Sequence, residues 1–141
     1  MFDKNYEHRL SLWRDFRTSL EHTSDPIQAT IDFYSKAPMC KIQTDPYTPS
    51  TWPDPWELLE ENIYCPFVKI LAICYTLQLT DVLSGADFEI HITYDREMSQ
   101  TFYLLYVNNQ VIGYQHDKAI TTDELPKTLQ SVHRYPMQPQ Q

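Results

Sequence analysis

Residues 52–79 read WPDPWELLEENIYCPFVKILAICYTLQL and contain the longest apolar stretch of the chain. Pro66 follows Cys65 directly, and proline suits the first helical position because its missing N–H would have no helical partner there. Residues 67–79 are almost wholly apolar, which is typical of a helix that is buried on every side. This stretch therefore predicts a central core helix that begins at Cys65 and ends near Thr80.

The composition favours one domain with its own core. The chain has 141 residues, of which 42% are hydrophobic, so it can bury a core without disulfide or metal crosslinks. Its net charge of −8 argues against a nucleic-acid surface, which needs clustered Lys and Arg, and against an anionic membrane surface. We expect partners that are proteins, and neither nucleic acid nor membrane.

Three further features bear on compartment and cofactors. The N-terminal stretch MFDKNYEHRLSLWRDF is charged throughout and lacks the apolar region of a signal peptide. The cysteines form no CxxC pair, and their odd number fits reduced thiols in a cytoplasm; they are Cys40, Cys65 and Cys74. No two histidines have metal-ligand spacing, and the two glycines leave no room for a phosphate loop, so no metal or cofactor is expected.

Helical signals precede the core helix. Apolar residues at helical spacing predict a first helix over residues 3–21, and Asp25-Pro26 marks the start of a second that ends near Ser35. Residues 37–54 hold four prolines and no clear period, which predicts an ordered loop. Asp54 and Glu57 have the spacing of a capping box, so a short helix should follow.

After Gly85 the hydrophobic period changes from helical to two. Residues 88–94, 101–107 and 110–114 are predicted strands. The turns between them are short, so the three strands should form an antiparallel meander. The order of helices followed by a small sheet predicts an α+β fold.

The C-terminal part is predicted to add little to this core. Thr121 has the signature of a helix start, and Pro126 suits an early turn of a short helix. Residues 137–141 are polar, as in a loose tail. We therefore predict a single domain over residues 1–136, composed of a helical extension (1–36) and a core (37–136).

Cys65 is a candidate nucleophile because a helix N-terminus favours a thiolate. A nucleophilic cysteine also needs a base within hydrogen-bond reach. His91 and His116 are the candidate bases. Strand alternation places His91 opposite the apolar face of its strand, so it points to solvent if that face covers the Cys65 helix, and catalysis would need the reverse assignment. The competing interpretation of Cys65 is a small apolar residue at the start of the core helix.

Trp52, the Pro55–Leu59 segment and Cys65 at the head of an apolar helix together resemble the transglutaminase-like and bacterial cysteine-protease families. The resemblance implies a papain-like core, in which the cysteine helix packs on an antiparallel sheet. Family members have Gly-Asp before the cysteine and Glu-Asp after it, where this chain has Ile63-Tyr64 and Pro66-Phe67. Neither the expected histidine (101–104) nor the expected Asp or Asn (111–114) is present, so the resemblance implies a degenerate, non-catalytic domain.

The stretch DPYTPSTWPDPWELLEENIYC, residues 45–65, is also similar to small proteins of contractile-tailed cyanobacterial phages. This resemblance implies a structural or accessory subunit of the neck, tail or baseplate, with other protein subunits as partners. It implies a location in the virion or in the cytoplasm of an infected host. Two alternatives are a cysteine hydrolase or acyltransferase that uses Cys65, and a soluble phage protein that binds a host factor.

Four aromatic residues are the candidates for protein contacts. Aromatic side chains more often cover a core, but where they are exposed they are the residue types that anchor interfaces. The candidates are Trp13, Tyr47, Trp52 and Trp56.

Overall fold

In the computed structural model, residues 1–139 are described, and they form four α-helices and a five-stranded antiparallel sheet. The predicted α+β class is confirmed. The helices are α1 (Tyr6–Leu20), α2 (Pro26–Tyr34), α3 (Pro55–Glu61) and α4 (Pro66–Gln78). None of the helices within residues 1–139 combines the length and the apolarity that a membrane crossing requires.

The first three helices begin at side-chain caps. The Asn5 side chain accepts the N–H of His8 at the start of α1. At α2, Asp25 accepts the N–H of Gln28. Asp54 and Glu57 form the complete capping box of α3. These caps supply partners for backbone donors that a helix leaves free at its start. For this reason the starts of α2 and α3 could be predicted from the sequence.

The core lies around α4, of which 11 of 13 residues are buried. Helix α2 packs on one side of α4, the sheet packs on another, and α3 contacts it as well. Trp13 of α1 is also buried, and its indole N–H donates to the Thr76 hydroxyl at 2.9 Å. The predicted central helix is therefore confirmed, and it is enclosed by every layer of the domain.

Two arginines attach α1 to the ends of neighbouring helices. Arg9 donates from Nε to the Leu59 carbonyl at 2.8 Å and from Nη2 to the Glu60 carbonyl at 3.0 Å. Arg17 donates to the Leu79 carbonyl at 3.2 Å, and its guanidinium lies 4.3 Å from the centre of the Trp13 ring. Because helix C-termini leave carbonyls without partners, these two arginines complete the ends of α3 and α4.

The sheet has strand order β4-β3-β2-β1-β5. Its strands are β1 (Phe88–Asp95), β2 (Gln100–Val107), β3 (Gln110–Ile112), β4 (Ile120–Thr121) and β5 (Leu129–Pro136). Strands β1, β2 and β3 pair antiparallel in chain order, but they are part of a five-stranded sheet and not the predicted three-stranded sheet. The prediction omitted β4 and β5, which add one strand at each edge.

The two faces of the sheet are covered differently. Phe88, Ile90 and Leu105 pack in the cluster that contains α4. On the other face, Leu104 and Val111 belong to a second cluster that Leu125 covers. Because β4 and β5 lie at opposite edges, the chain between them crosses the sheet on the face away from α4, and Leu125 belongs to this crossing.

The helix predicted to begin at Thr121 is wrong. Its capping box forms, with Glu124 as the partner, but only a three-residue 3-10 turn follows. Leu125 adopts an extended conformation, with φ −68° and ψ 141°, because Pro126 after it disfavours helical backbone. The chain then enters β5.

The third strand ends earlier than predicted, at Ile112. Gly113 has a φ of +113° and turns the chain away from β2. A Cβ at this position would lie 2.3 Å from the backbone oxygen of Tyr103. Only glycine fits this close approach without moving backbone.

The start of the predicted loose tail (137–141) is held in place. The Met137 N–H donates to the Phe88 carbonyl at 2.8 Å. The Gln78 side chain donates to the carbonyls of Met137 and Gln138 at 3.2 and 3.0 Å. Residues 140 and 141 of the predicted tail lie outside the described residues.

Gly113→Ala should lower the free energy of unfolding by about 2 kcal/mol or more, because alanine combines an unfavourable φ with a backbone clash. The matched control is Gly85→Ala, where a Cβ would meet no atom within 4 Å. The control should change stability by less than about 0.5 kcal/mol. Urea unfolding of both variants checks this, and equal effects would contradict the tight approach at Gly113.

Candidate functional site

Cys65 lies at the N-cap of α4, as predicted, but its side chain is buried in the core. Its backbone is extended (φ −127°, ψ 172°), and its side chain makes no capping hydrogen bond. The residue belongs to the main hydrophobic cluster together with its neighbours Tyr64 and Phe67. The thiol therefore occupies an apolar environment, as a structural cysteine does.

His91 lies on the face of the sheet that points away from α4. It pairs with Leu104 of the second cluster, whereas Cys65 belongs to the cluster around α4. The expectation that His91 points to solvent is wrong, because the residue is only 8% exposed. Its ring lies 4.1 Å from the ring of Tyr106.

Both ring nitrogens of His91 have partners. Nδ1 lies 3.0 Å from the Ser131 hydroxyl and Nε2 lies 3.2 Å from a Glu89 carboxylate oxygen. Burial lowers the pKa of His91, and the nearby Glu89 raises it by less. The imidazole is thus a neutral group that joins β1 to β5.

His116 lies on the surface, in the segment after β3. It lines a cleft of about 470 Å³ that also includes Pro66, the residue after Cys65, but not Cys65 itself. The structure therefore separates the three proposed catalytic residues: Cys65 in the core, His91 across the sheet and His116 at the surface.

The described residues offer no metal centre either. Within residues 1–139, no three side chains of His, Cys, Asp or Glu come together in a way that could hold an ion.

The four aromatic candidates divide into two pairs. Trp13 is buried, and Trp56 contacts its edge with ring centres 6.5 Å apart while remaining 42% exposed. Tyr47 and Trp52 lie in the loop before α3 and reach β5. Tyr47 is 51% exposed.

Tyr47 and Trp52 each contact one ring of β5. Tyr47 lies 5.2 Å from His133 and Trp52 lies 5.1 Å from Tyr135, between ring centres. The His133 and Tyr135 rings are parallel, with centres 6.0 Å apart. We call these four residues the aromatic edge. The two members on β5, His133 and Tyr135, were not among the predicted contact residues because no strand was predicted there, although Pro136 and the alternation of His133 and Tyr135 are signals of an edge strand.

Strand β5 pairs with β1 on one side only. Within residues 1–139, its other side has no backbone partner from any other element. Met137 directs its N–H to β1, so by alternation Tyr135 does the same while Arg134 and Pro136 direct their backbone groups outward. Val132 forms a bulge opposite β1 and is 56% exposed.

The charge around β5 differs from that of the whole chain. Residues 125–141 contain Lys127 and Arg134 but none of the 19 Asp and Glu residues. Within the described residues, neither Lys127 nor Arg134 forms an ion pair. Strand β5 itself thus carries the cation Arg134 and no acid, while Glu89 and Asp95 of β1 lie opposite Pro136 and Leu129.

Comparison with known protein families, with curated proteins and with solved structures finds no match to this chain.

The burial of Cys65 and Cys74 predicts that one thiol reacts in the native protein. Cys40 is exposed, whereas the other two are buried, and burial raises the pKa of Cys74. A thiol-reactive aromatic disulfide should therefore label Cys40 rapidly and the other two only after unfolding. Cys40→Ser should remove the rapid phase; rapid labelling of Cys65 would instead support the cysteine-nucleophile hypothesis.

The environment of His91 predicts a pH-dependent stability. Because its folded pKa lies below the unfolded value of 6.5, the folded protein binds fewer protons between these two values. The contribution of neutral His91 to the free energy of unfolding is complete above about pH 6.5 and declines as the pH falls towards the folded pKa. His91→Gln should flatten urea-unfolding free energies between about pH 5 and pH 7. Parallel curves for the two proteins would contradict this assignment.

Proposed function

We propose that this chain is a non-catalytic protein–protein interaction subunit and that β5 is its docking element. The supporting observation is the free outer side of β5, whose backbone groups have no partner from another element within residues 1–139. Such an edge accepts an extended segment of another protein as an additional strand. The adjacent aromatic edge offers side chains that anchor interfaces.

The bulge and the proline set limits on the docked segment. Val132 interrupts the ladder and Pro136 lacks an N–H, and such features restrict indiscriminate pairing at sheet edges. Few backbone bonds are then available, so contacts with Tyr47 and His133 must supply part of the affinity. This combination favours a partner with a defined sequence over general edge-to-edge association.

The charge favours a partner segment that is acidic. Arg134 directs its backbone outward from the edge, and residues 125–141 contain no acidic side chain. An acidic strand would be attracted, whereas a second β5 would bring like charges together. We therefore propose an extended acidic segment of a different protein as the occupant.

We further propose that the assembly is a tailed-phage particle, with this chain in the neck, tail or baseplate. The support is the resemblance of residues 45–65 to small phage proteins. This same segment contains Tyr47 and Trp52, which belong to the aromatic edge. A relationship to the papain and transglutaminase-like core remains part of this proposal, supported by Cys65 at the head of α4 and by the packing of α4 on the sheet.

The test uses synthetic peptides that alternate Glu with Val and carry a fluorophore. We expect them to bind with higher affinity than Lys-Val peptides, and a central proline in the peptide should prevent strand addition. Arg134→Glu should weaken binding of the acidic peptide about fivefold at low salt. Fluorescence anisotropy measures each affinity.

Two variants separate edge pairing from charge. Arg134→Pro removes an outward N–H and should weaken binding about tenfold while the thermal midpoint stays within a few degrees, because the ladder to β1 does not use that N–H. Arg14→Glu, an exposed charge reversal on α1, is the matched control and should leave binding unchanged. Equal binding of acidic, basic and proline peptides would refute the docking proposal.

Particle membership is tested separately, by mass spectrometry of phage particles purified on a density gradient. We expect the chain to be present in the particles at a fixed number of copies, and high-salt washing should not reduce that number. Its absence from particles, with abundant protein in the infected cell, would instead favour the host-factor alternative.

A further inference from the structure

The cleft near His116 arises where the β2–β3 pairing ends. The ladder runs only from Val107 to Leu105 on β2, after which Gly113 turns the chain away. Residues 100–103 of β2 form one wall of the cleft and residues 113–116 form the opposite wall. Its volume of about 470 Å³ lies in the range of sites that hold small molecules.

The floor and walls of the cleft are mostly apolar. Ile70 and Ile73 of α4, Ile31 of α2 and Ile112 of β3 line it. Phe102 and Tyr114 also line the cleft, although their rings, with centres 5.1 Å apart, pack on the second cluster across the sheet. The body of a ligand in this space would therefore be aliphatic or aromatic.

Lys69 places one cation at this cleft. Its side chain lines the wall on α4 and is half-buried. Within residues 1–139, Met1 and Lys4 form ion pairs with Asp3, and no carboxylate lies within ion-pair distance of Lys69. A free ammonium group beside apolar walls favours an anion over a neutral or cationic ligand.

Unpaired backbone groups provide further polar contacts. By alternation from the Val107–Gln110 pair at the hairpin, Thr101 and Tyr103 direct their backbone groups to the β3 side. No backbone hydrogen bond within residues 1–139 joins them to the segment after β3. Their N–H groups are donors available to a carboxylate or carbonyl oxygen.

We propose that this cleft binds a small monocarboxylate with an aliphatic or aromatic body, and that Lys69 pairs with its carboxylate. The four isoleucines of the cleft enclose the body. This site goes beyond the proposed docking role, because none of its residues belongs to β5 or to the aromatic edge. The two proposals can therefore fail independently.

The probes are 3-phenylpropanoate, 3-phenylpropanol and 3-phenylpropylammonium, which share one body and differ in charge. Titration is followed by ¹H–¹⁵N correlation spectra. We expect the carboxylate to shift the amides of Thr101, Tyr103, Gly113 and Tyr114 and to bind about tenfold more tightly than the alcohol. Equal binding of all three probes, or no shift at these amides up to about 10 mM carboxylate, would overturn the proposal.

Three substitutions complete the test. Lys69→Met keeps a long side chain but removes the charge, and it should reduce carboxylate affinity about tenfold without changing that of the alcohol. Lys69→Arg should retain the preference for the carboxylate over the alcohol. This conservative variant shows that a loss in Lys69→Met reflects the missing charge and not misfolding. Lys127→Met, at an exposed lysine outside the cleft, is the matched control. Unchanged carboxylate affinity in Lys69→Met would also refute the assignment.

Discussion

The hydroxyl of Thr76 joins three helices at the centre of the domain. It donates to the Ala72 carbonyl at 2.8 Å and accepts the Trp13 indole N–H at 2.9 Å. Because a hydroxyl has one proton, the 2.9 Å contact with Tyr34 must have Tyr34 as the donor. The network pairs the Thr76 and Tyr34 hydroxyls and the Trp13 indole N–H, and burial raises the pKa of Tyr34 to about 12. A helix with 11 of 13 residues buried gains about 1.5–3 kcal/mol for each large apolar side chain, provided that such polar groups remain paired.

The enclosure of α4 determines the arrangement of the other elements. One face of the sheet must cover it, so the other face needs a cover of its own. The chain supplies that cover by crossing from β4 to β5, which packs Leu125 on the second cluster. The crossing also leads into β5, where Ser131 lies beside His91, so a polar pair joins the last strand to the first.

Both proposed binding regions lie where backbone pairing stops. At β5 the sheet ends and leaves one side of the strand free. At Gly113 the β2–β3 ladder opens and leaves a cleft. Unpaired backbone groups are favourable only where water or a partner can reach them, so these regions lie at the surface. Their side chains then distinguish them: aromatic rings and Arg134 along β5, and isoleucines with Lys69 in the cleft.

Local signals in the sequence sufficed for the helices and for the first three strands. These signals act over a few residues, so they operate before any tertiary contact forms. They are the caps Asp25 and Asp54, the apolar run after Cys65 and the alternation from Phe88. Contacts between distant residues determined the rest. Strand β5 exists because Leu129–Pro136 pairs with β1, while Pro126 prevents the helix that Thr121 begins. The surroundings of Cys65 and His91 also depend on which sheet face meets α4, and alternation within one strand cannot specify what covers each face.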